Sequence, residues 1–373
     1  MNRDISRREL LQQGTRLALA AGVSGACSFP TAAAEPILEY RRGGMLYRRL
    51  GATDLFLSAL SFGSHINPSH RIGAKHGSML DEKGQTRRDR HISKAIDYGV
   101  NMVDTYENAG QWKPMARLVR TRRENTLVSI CRQFPNFVGK NIDDAARLFG
   151  HVDLYRIYVG DGSGMTDTIL EDWDTMRKAK QAGKVRAIGI STHSEQMMIR
   201  ALDELEGLDY IMFPYNFIHA RADYMDVLPK AIKQRVGMIA IKPLAAGSIV
   251  KLDPHAPPGS TPEDAKIQLY QKQYRPILPI VIEKLTESLN RSQDESLCQA
   301  ALRFVYSRPF ITSAMPGMFQ EHEVDDNYAA IQSHFQLSQH DHHLLDAARQ
   351  LAHAQGPGWL PPHYRWLDQH WRV

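Results

Sequence analysis

The most constraining feature of this 373-residue chain is an alternation of short apolar runs with longer segments of helical period. The apolar runs lack strict polar alternation, as expected of parallel strands that are covered by helices. Eight such runs, separated by helical segments, predict an α/β fold of the TIM-barrel type, a (β/α)8 barrel. The predicted strands are residues 57–63, 100–104, 126–132, 152–158, 185–190, 210–213, 238–241 and 311–315.

Further segments flank the predicted barrel, which spans residues 45–335. Residues 45–58 predict an N-terminal β-hairpin ahead of the first barrel strand. Residues 251–292 lengthen the connection after the seventh strand, and residues 336–373 predict a C-terminal helix followed by an aromatic tail with Trp359, Trp366 and Trp371. A doubly wound open sheet is the rival fold, but no glycine-rich phosphate fingerprint follows the first strand.

The N-terminal segment, residues 1–34, resembles a bacterial twin-arginine signal peptide. Arg7 and Arg8 precede an apolar stretch that opens at Leu17 and stays free of charge until Glu35, and residues 32–34 are the small alanines that a signal peptidase accepts. The resemblance implies that the twin-arginine translocase exports the folded chain to the periplasm. A lipid anchor at Cys27 and an N-terminal helix that arose by chance remain as alternatives.

Charge, hydropathy and residue spacing argue against several classes of binding partner. The formal net charge is only +5, and no basic stripe with interleaved aromatic residues occurs, so we expect no nucleic-acid binding. No segment after residue 34 is apolar enough for stable insertion into a bilayer. The histidine and cysteine spacings do not specify a metal site. We therefore expect a small-molecule substrate as the main partner.

Six sequence blocks then carry a family resemblance. Residues 47–53, 99–105, 153–157, 183–191, 243–247 and 316–327 occur in the order found in the aldo/keto reductases, and they span nearly all of the chain after the signal peptide. The chain resembles that family. The resemblance implies a TIM barrel whose ancestral chemistry is NADP(H)-dependent carbonyl reduction.

The resemblance also implies four catalytic side chains at the C-terminal mouth of the barrel. Asp104 keeps the aspartate, but Ala109 stands in place of the proton-donating tyrosine, Arg132 in place of the lysine and Tyr158 in place of the histidine. We expect Asp104 and Arg132 to form an ion pair and Tyr158 to offer a phenol from another wall of the cavity. Tyr106, close behind Asp104, is a second phenol. A relic ion pair that merely bridges two strands is the alternative.

The cofactor side of the resemblance implies NADP or NAD. Ser191 and Thr192 would hold the nicotinamide carboxamide, and Lys242 would meet a phosphate or a substrate carboxylate. The pyrophosphate loop would be Pro243, Leu244 and Gly247, and the adenosine side would be Gly317, Asp326 and Asn327. Phe319 and Glu323 stand where cations commonly meet the 2′-phosphate, so a carboxylate would repel that phosphate.

Three functional hypotheses follow. The first is an exported aldo/keto reductase-type oxidoreductase that carries a bound nicotinamide cofactor, because free cofactor is not expected outside the inner membrane. The second is a redox-inactive barrel that binds or transforms a sugar or an organic acid, in a polar pocket lined by Asp104, Arg132, Tyr158, His193 and Lys242. The third is an interaction protein that docks a partner on its tryptophan-rich tail.

Overall fold

The computed structural model describes residues 37–72, 79–107, 109–134, 136–160, 164–216, 227–244 and 295–332. The predicted signal peptide, Gly247, the long connection of residues 251–292 and the predicted tail of residues 336–373 lie outside these described residues.

Strands and helices alternate over most of the described chain. The strands are β1 (Glu39–Arg42), β2 (Met45–Arg49), β3 (Phe56–Ser58), β4 (Arg71–Ile72), β5 (Met79–Leu80), β6 (Met102–Tyr106), β7 (Leu127–Arg132), β8 (Val152–Tyr158), β9 (Val185–Ser191), β10 (Tyr210–Pro214), β11 (Gly237–Ile241) and β12 (Ile311–Met315). The helices are α1 (Glu82–Asp97), α2 (Ala109–Val119), α3 (Val138–Phe149), α4 (Asp167–Gln181), α5 (Glu195–Glu204), α6 (Val227–Lys233), α7 (Leu297–Ser307) and α8 (Glu321–Gln332).

The main sheet contains seven parallel strands, β6 to β12, in the order of the sequence. The first predicted strand, residues 57–63, is only partly correct. Residues 56–58 belong to the antiparallel hairpin, while Leu60 and Phe62 form isolated parallel bridges to Ala314 of β12 and Val103 of β6. Backbone hydrogen bonds accompany both bridges, so the segment after β3 contacts both edges of a curled seven-stranded sheet instead of forming a continuous eighth strand.

Four of the helices begin at a residue that supplies a side-chain oxygen to an otherwise unsatisfied backbone N–H. Asp81, Thr166, Ser194 and Ser296 cap α1, α4, α5 and α7 in this way. The apolar faces of the helices and the outer face of the sheet form the larger core. Within the described ranges, no helix has the length and apolar character needed to cross a membrane.

A second, smaller core lies inside the curled sheet, and the N-terminal hairpin closes its amino-terminal end. Leu50, Leu55 and Leu57 pack there with inward residues of the strands. Gly51 adopts a left-handed φ of +52°, and a Cβ atom at this position would lie 2.4 Å from the Arg235 carbonyl oxygen, so only glycine fits. The predicted hairpin of residues 45–58 is thus present, with β1 as an additional strand.

Arg48 fastens this hairpin to the last part of the sheet. Its buried guanidinium donates hydrogen bonds to the carbonyl oxygens of Tyr306 (2.8 Å), Ile311 (2.8 Å) and Arg308 (3.2 Å), and to the carboxylate of Glu39. The guanidinium thereby satisfies backbone carbonyls around the turn between α7 and β12.

Candidate functional site

The candidate site lies at the carboxyl ends of the parallel strands, which we call the mouth of the sheet. Side chains alternate between the two faces of a strand, so the inward positions follow from the interior core. Met102 and Leu154 belong to that core. Asp104 on β6, and Arg156 and Tyr158 on β8, therefore also point inward.

Asp104 and Arg156 form a buried ion pair below the mouth. Arg156 Nη1 and Nη2 donate to Asp104 Oδ1 and Oδ2 at 2.5 and 2.8 Å, and Ser129 Oγ donates to Oδ1 at 2.6 Å. Asp104 is 0% and Arg156 3% exposed. Burial alone would lower the pKa of Arg156, but the Asp104 carboxylate outweighs burial and raises it. Arg156 therefore keeps its positive charge, and the pair is closed to solvent.

The expected ion pair between Asp104 and Arg132 is wrong. Arg132 approaches Glu107 at 3.7 Å and donates to the Asn136 carbonyl oxygen at 3.0 Å. Ser129 points inward from β7, and Arg132 follows it by an odd number of residues, so Arg132 lies on the outer face. The inward residue at this end of β7 is the buried Cys131. Arg156, which sequence reasoning missed, takes the expected place of Arg132.

Tyr158, His193 and Lys242 meet at the mouth, and we call them the Tyr–His–Lys cluster. Tyr158 Oη lies 3.4 Å from His193 Nδ1, and Lys242 Nζ lies 2.9 Å from His193 Nε2. The Tyr158 and His193 rings are edge-on, with centroids 5.7 Å apart. All three side chains are partly exposed, unlike Asp104 and Arg156. The cluster is therefore positioned to meet a ligand.

Lys242 has an unusual backbone and electrostatic setting. Its φ of +55° lies in the left-handed region, which lysine rarely adopts, and Asn216 Nδ2 donates to its carbonyl oxygen at 3.1 Å. Burial lowers the pKa of Lys242 to about 7. Strained backbone and a displaced pKa in one residue are typical of functional sites.

Tyr106 is the second phenol near Asp104. Its Oη lies 3.1 Å from His65 Nε2, and burial raises the pKa of the phenol. A phenol with a raised pKa is a weaker proton donor than an ordinary tyrosine. Tyr106 is also buried, whereas Tyr158 is partly exposed at the mouth, so Tyr158 is the better-placed acid of the two.

The predicted nicotinamide-side residues lie on both sides of β10. Ser191 ends β9 and is buried, and the Thr192 hydroxyl accepts a hydrogen bond from the Ser194 N–H at 3.1 Å. The Thr192 hydroxyl thus stabilises the turn that follows β9. Pro243 and Leu244 form the turn after Lys242, and Leu244 packs against the outer core.

The predicted adenosine-side residues surround the start of α8. Asn327 Nδ2 donates to the Gly317 carbonyl oxygen at 3.3 Å, and Asp326 accepts hydrogen bonds from Ser296 and Gln299. The Glu323 carboxylate accepts the backbone N–H groups of Phe319 and Gln320 at 2.5 and 2.9 Å. These N–H groups precede a helix, which is where a phosphate could otherwise bind.

These contacts suit a nicotinamide dinucleotide without an additional phosphate better than one that carries it. A Cβ atom at Gly317 would meet nothing within 4 Å, which leaves an open backbone surface beyond β12, and the partly exposed Lys242 offers a donor at the mouth. Glu323 opposes an additional phosphate at the start of α8. In the described part of the chain, no group of three His, Cys, Asp or Glu side chains could hold a metal ion.

Comparison with known proteins agrees with this architecture. A curled parallel sheet, covered by helices and carrying polar side chains at its carboxyl end, defines an α/β protein related to the TIM barrels. The chain belongs to the aldo/keto reductase family, an oxidoreductase family whose sequence profile matches residues 73–350.

Individual relatives are distant but cover most of the chain. L-glyceraldehyde 3-phosphate reductase of Escherichia coli O157:H7 is 24% identical over 83% of this chain and 96% of its own length. L-galactose dehydrogenase of Arabidopsis thaliana is 22% identical over 76% of this chain and 87% of its own.

Solved structures show the same fold. An aldo-keto reductase of Bacillus halodurans, in its holo form, superposes with a TM-score of 0.62 at 19% identity, covering 86% of this chain and 99% of that one. An aldo-keto reductase of Klebsiella pneumoniae in complex with NADPH gives a TM-score of 0.56 at 17% identity, covering 83% and 94%. At these identities the likeness shows the fold alone.

Proposed function

We propose that this protein is an exported oxidoreductase that reduces a carbonyl group, or oxidises the corresponding alcohol, with a tightly held nicotinamide dinucleotide. The observation that carries the proposal is the Tyr–His–Lys cluster. It places a phenol, an imidazole and an amine at the mouth. Asp104 is not part of this cluster, because its carboxylate is paired with Arg156. The chain thus has a tyrosine, a histidine and a lysine in contact, on other strands than the family pattern implies.

Tyr158 is the proton donor in this proposal. An ordinary phenol has a pKa of about 10, so it donates near neutral pH only when its neighbours accept or offset the charge. In the reductive direction, Tyr158 Oη gives its proton to the substrate oxygen and recovers one from His193 Nδ1. Lys242, on His193 Nε2, orients the ring and supplies positive charge when it is protonated.

The cofactor would be held by residues of this chain at both ends of the site. Ser191 would hold the nicotinamide, Lys242 and the turn of Pro243 and Leu244 would meet the pyrophosphate, and Gly317 and Asn327 would hold the adenosine half. A bound nicotinamide dinucleotide supplies a hydride to the carbonyl carbon. Either NAD or NADP is compatible with this arrangement, and Glu323 disfavours the phosphate that distinguishes NADP.

The substrate class follows from the relatives. Two of them are named for L-glyceraldehyde 3-phosphate, the phosphate of a small aldose, and for L-galactose, an aldose. We propose a small polyhydroxylated aldehyde, or its alcohol, as the substrate of this chain. DL-Glyceraldehyde is therefore the probe for activity.

Export by the twin-arginine route is part of the proposal. The adjacent Arg7 and Arg8 support it, because this translocase carries folded proteins and so allows a cofactor to be bound before export. Replacing both arginines by lysine should leave the precursor in the cytoplasm, whereas Arg3→Lys should not. Equal periplasmic amounts of all three proteins would refute this route.

The bound cofactor provides the direct test. The folded protein, purified from the periplasm and then denatured, should release about one nicotinamide nucleotide per chain, identified by mass spectrometry. Adding DL-glyceraldehyde before denaturation should oxidise the reduced form of that nucleotide. Absence of any released nucleotide, together with no binding of added NAD(H) or NADP(H), would refute the redox function.

A redox-inactive polar-ligand barrel is the second candidate. The observation that favours it is the closed Asp104–Arg156 pair, because Arg156 and not a catalytic lysine occupies both oxygens of Asp104. Tyr158, His193 and Lys242, three of the five residues expected in its polar pocket, do meet at the mouth. A sugar or organic acid that co-purifies in place of nucleotide would support this candidate.

A further inference from the structure

We propose that Lys242 is also an amine nucleophile, which forms a reversible imine with small aldehydes at the mouth of the sheet. The inference concerns a covalent activity that needs no cofactor. Three features of the described residues carry it: the place of Lys242, its contact with His193 and the way its backbone is held.

The first feature is position. Lys242 follows the last residue of β11, at the same end of the sheet as Tyr158 and His193, and its side chain keeps partial solvent exposure. A carbonyl compound that reaches Tyr158 therefore also reaches the neighbourhood of Nζ. The amine and the phenol contact opposite nitrogens of one imidazole ring.

The second feature is the proton acceptor beside the amine. His193 Nε2 lies 2.9 Å from Lys242 Nζ, within the distance of direct proton transfer. Nucleophilic attack by an amine requires its neutral form. Burial supports that form, because it lowers the pKa of Lys242 to about 7, close to neutral pH.

The third feature is the fixed backbone. Lys242 adopts a φ of +55°, and the Asn216 side chain donates to its carbonyl oxygen at 3.1 Å. A non-glycine residue in this region costs on the order of 1 kcal/mol or more, and the surrounding structure must compensate for it. This fixed backbone conformation therefore sets the direction in which the Lys242 side chain projects from the end of β11.

The chemical step balances without an oxidant or a reductant. The neutral Nζ forms a bond to the aldehyde carbon, the carbonyl π bond becomes a C–O single bond, and the oxygen gains a proton. The neutral amine carries two protons, and His193 accepts them in turn. It returns the first to the former carbonyl oxygen and the second to the departing hydroxyl group. Water leaves, and a C=N bond replaces the C=O bond.

This activity and the proposed redox function use different protonation states of Lys242. The ammonium form supports Tyr158 as a proton donor, whereas the neutral form attacks the aldehyde. The two can therefore be tested separately, because imine formation is measured in nucleotide-free protein.

Reductive trapping tests the proposal. The folded, nucleotide-free full chain is incubated with DL-glyceraldehyde and sodium cyanoborohydride at pH 7, and the modified lysines are identified by peptide mass spectrometry. An ordinary lysine, with a pKa of about 10.4, has under about 0.1% neutral amine at this pH. Lys242 should therefore be labelled at least about tenfold faster than Lys140 and Lys178, whose side chains are 72% and 74% exposed.

Two further measurements separate a nucleophile from a merely reactive surface group. The labelling rate of Lys242 should rise to half its maximum near pH 7, and His193→Phe should slow it several-fold in protein that remains folded by circular dichroism. Labelling of Lys242 at the rate of Lys140 and Lys178, or a half-point above about pH 9, would overturn the proposal. Neither result depends on whether nucleotide is released in the test of the redox function.

Discussion

Arg156 places both terminal guanidinium nitrogens on the two carboxylate oxygens of Asp104, inside a sheet where neither side chain is exposed to solvent. Such a pair is costly to desolvate but far more costly to break, because removal of one partner leaves the other charge buried. Replacing one residue of the pair should therefore destabilise the fold more than replacing both.

Arg156→Met should lower the free energy of unfolding by about 3–5 kcal/mol, because only Ser129 then remains on the Asp104 carboxylate. The double variant with Asp104→Asn should recover a large part of that loss. Urea denaturation measures both. Lys140→Met, which breaks an exposed pair with Asp144, is the control and should leave the midpoint unchanged. An equally small effect of Arg156→Met would contradict the structural role.

Tyr158→Phe should reduce kcat for DL-glyceraldehyde by about 10²- to 10⁴-fold, because it removes the proton donor, while the Kd of the nucleotide stays unchanged. Tyr155→Phe is a matched control on the same strand. Its hydroxyl donates to Asn141 Oδ1 at 2.8 Å on the other face of β8, so its loss should affect stability and not kcat. Wild-type turnover in Tyr158→Phe would exclude this tyrosine as the acid.

Glu323→Gln should favour NADPH over NADH by about two- to fivefold relative to the wild type, because it removes a negative charge from the start of α8. Binding titrations with both nucleotides give the ratio. Glu321→Gln changes the same charge on the same helix, but Glu321 pairs with Arg90 and Lys94. Glu321→Gln should change the NADPH to NADH ratio less than Glu323→Gln does. An equal effect would show that the location of the charge on α8 does not affect nucleotide preference.

Gly189→Ala should destabilise the protein by about 1–3 kcal/mol, since overpacking a filled interior forces neighbours to move. A Cβ atom there would lie 2.5 Å from the Tyr210 carbonyl oxygen and 2.7 Å from its ring. Gly317→Ala has open space and is the control, with little expected change. The two unfolding midpoints decide the comparison, and a stable Gly189→Ala protein would show that Tyr210 can shift.

Lys242→Met should be more stable than the wild type at pH 6, and this advantage should shrink as the pH rises towards 10. The folded pKa of Lys242 is about 7, below the unfolded value of about 10.4, so the unfolded chain binds more protons between these values. Wild-type stability therefore rises over that window relative to the variant. Urea midpoints at pH 6 and pH 9.5 measure the change, and a constant difference would contradict the lowered pKa.

Much of the architecture follows from the sequence because apolar runs mark buried parallel strands. The predicted run of residues 152–158 coincides with β8, and the predicted run of residues 100–104 overlaps β6, which begins and ends two residues later. The first predicted strand fared worse, since residues 56–58 pair with β2 before the chain reaches the sheet. One continuous apolar stretch can serve two sheets, and periodicity does not reveal where it changes partner.

The site was harder to predict because it depends on which face each side chain occupies. Arg132 was expected beside Asp104, but a difference of one position transfers a strand residue to the opposite face. A signal for Arg156 did exist, since it lies two residues before Tyr158 and must share its face. The contact between His193 and Lys242 had no such signal, because their strands are separated by β10.

The anchoring of Arg48 also has a consequence for the order of assembly. Its carbonyl partners lie 258 to 263 residues further along the chain, so ribosomal synthesis must nearly finish before the hairpin can dock. Contacts of such long sequence separation carry a high loop-closure cost and form late. The first strands to leave the ribosome are thus among the last to reach their final place. A chain cut short before residue 306 would lack all three backbone carbonyl acceptors of Arg48.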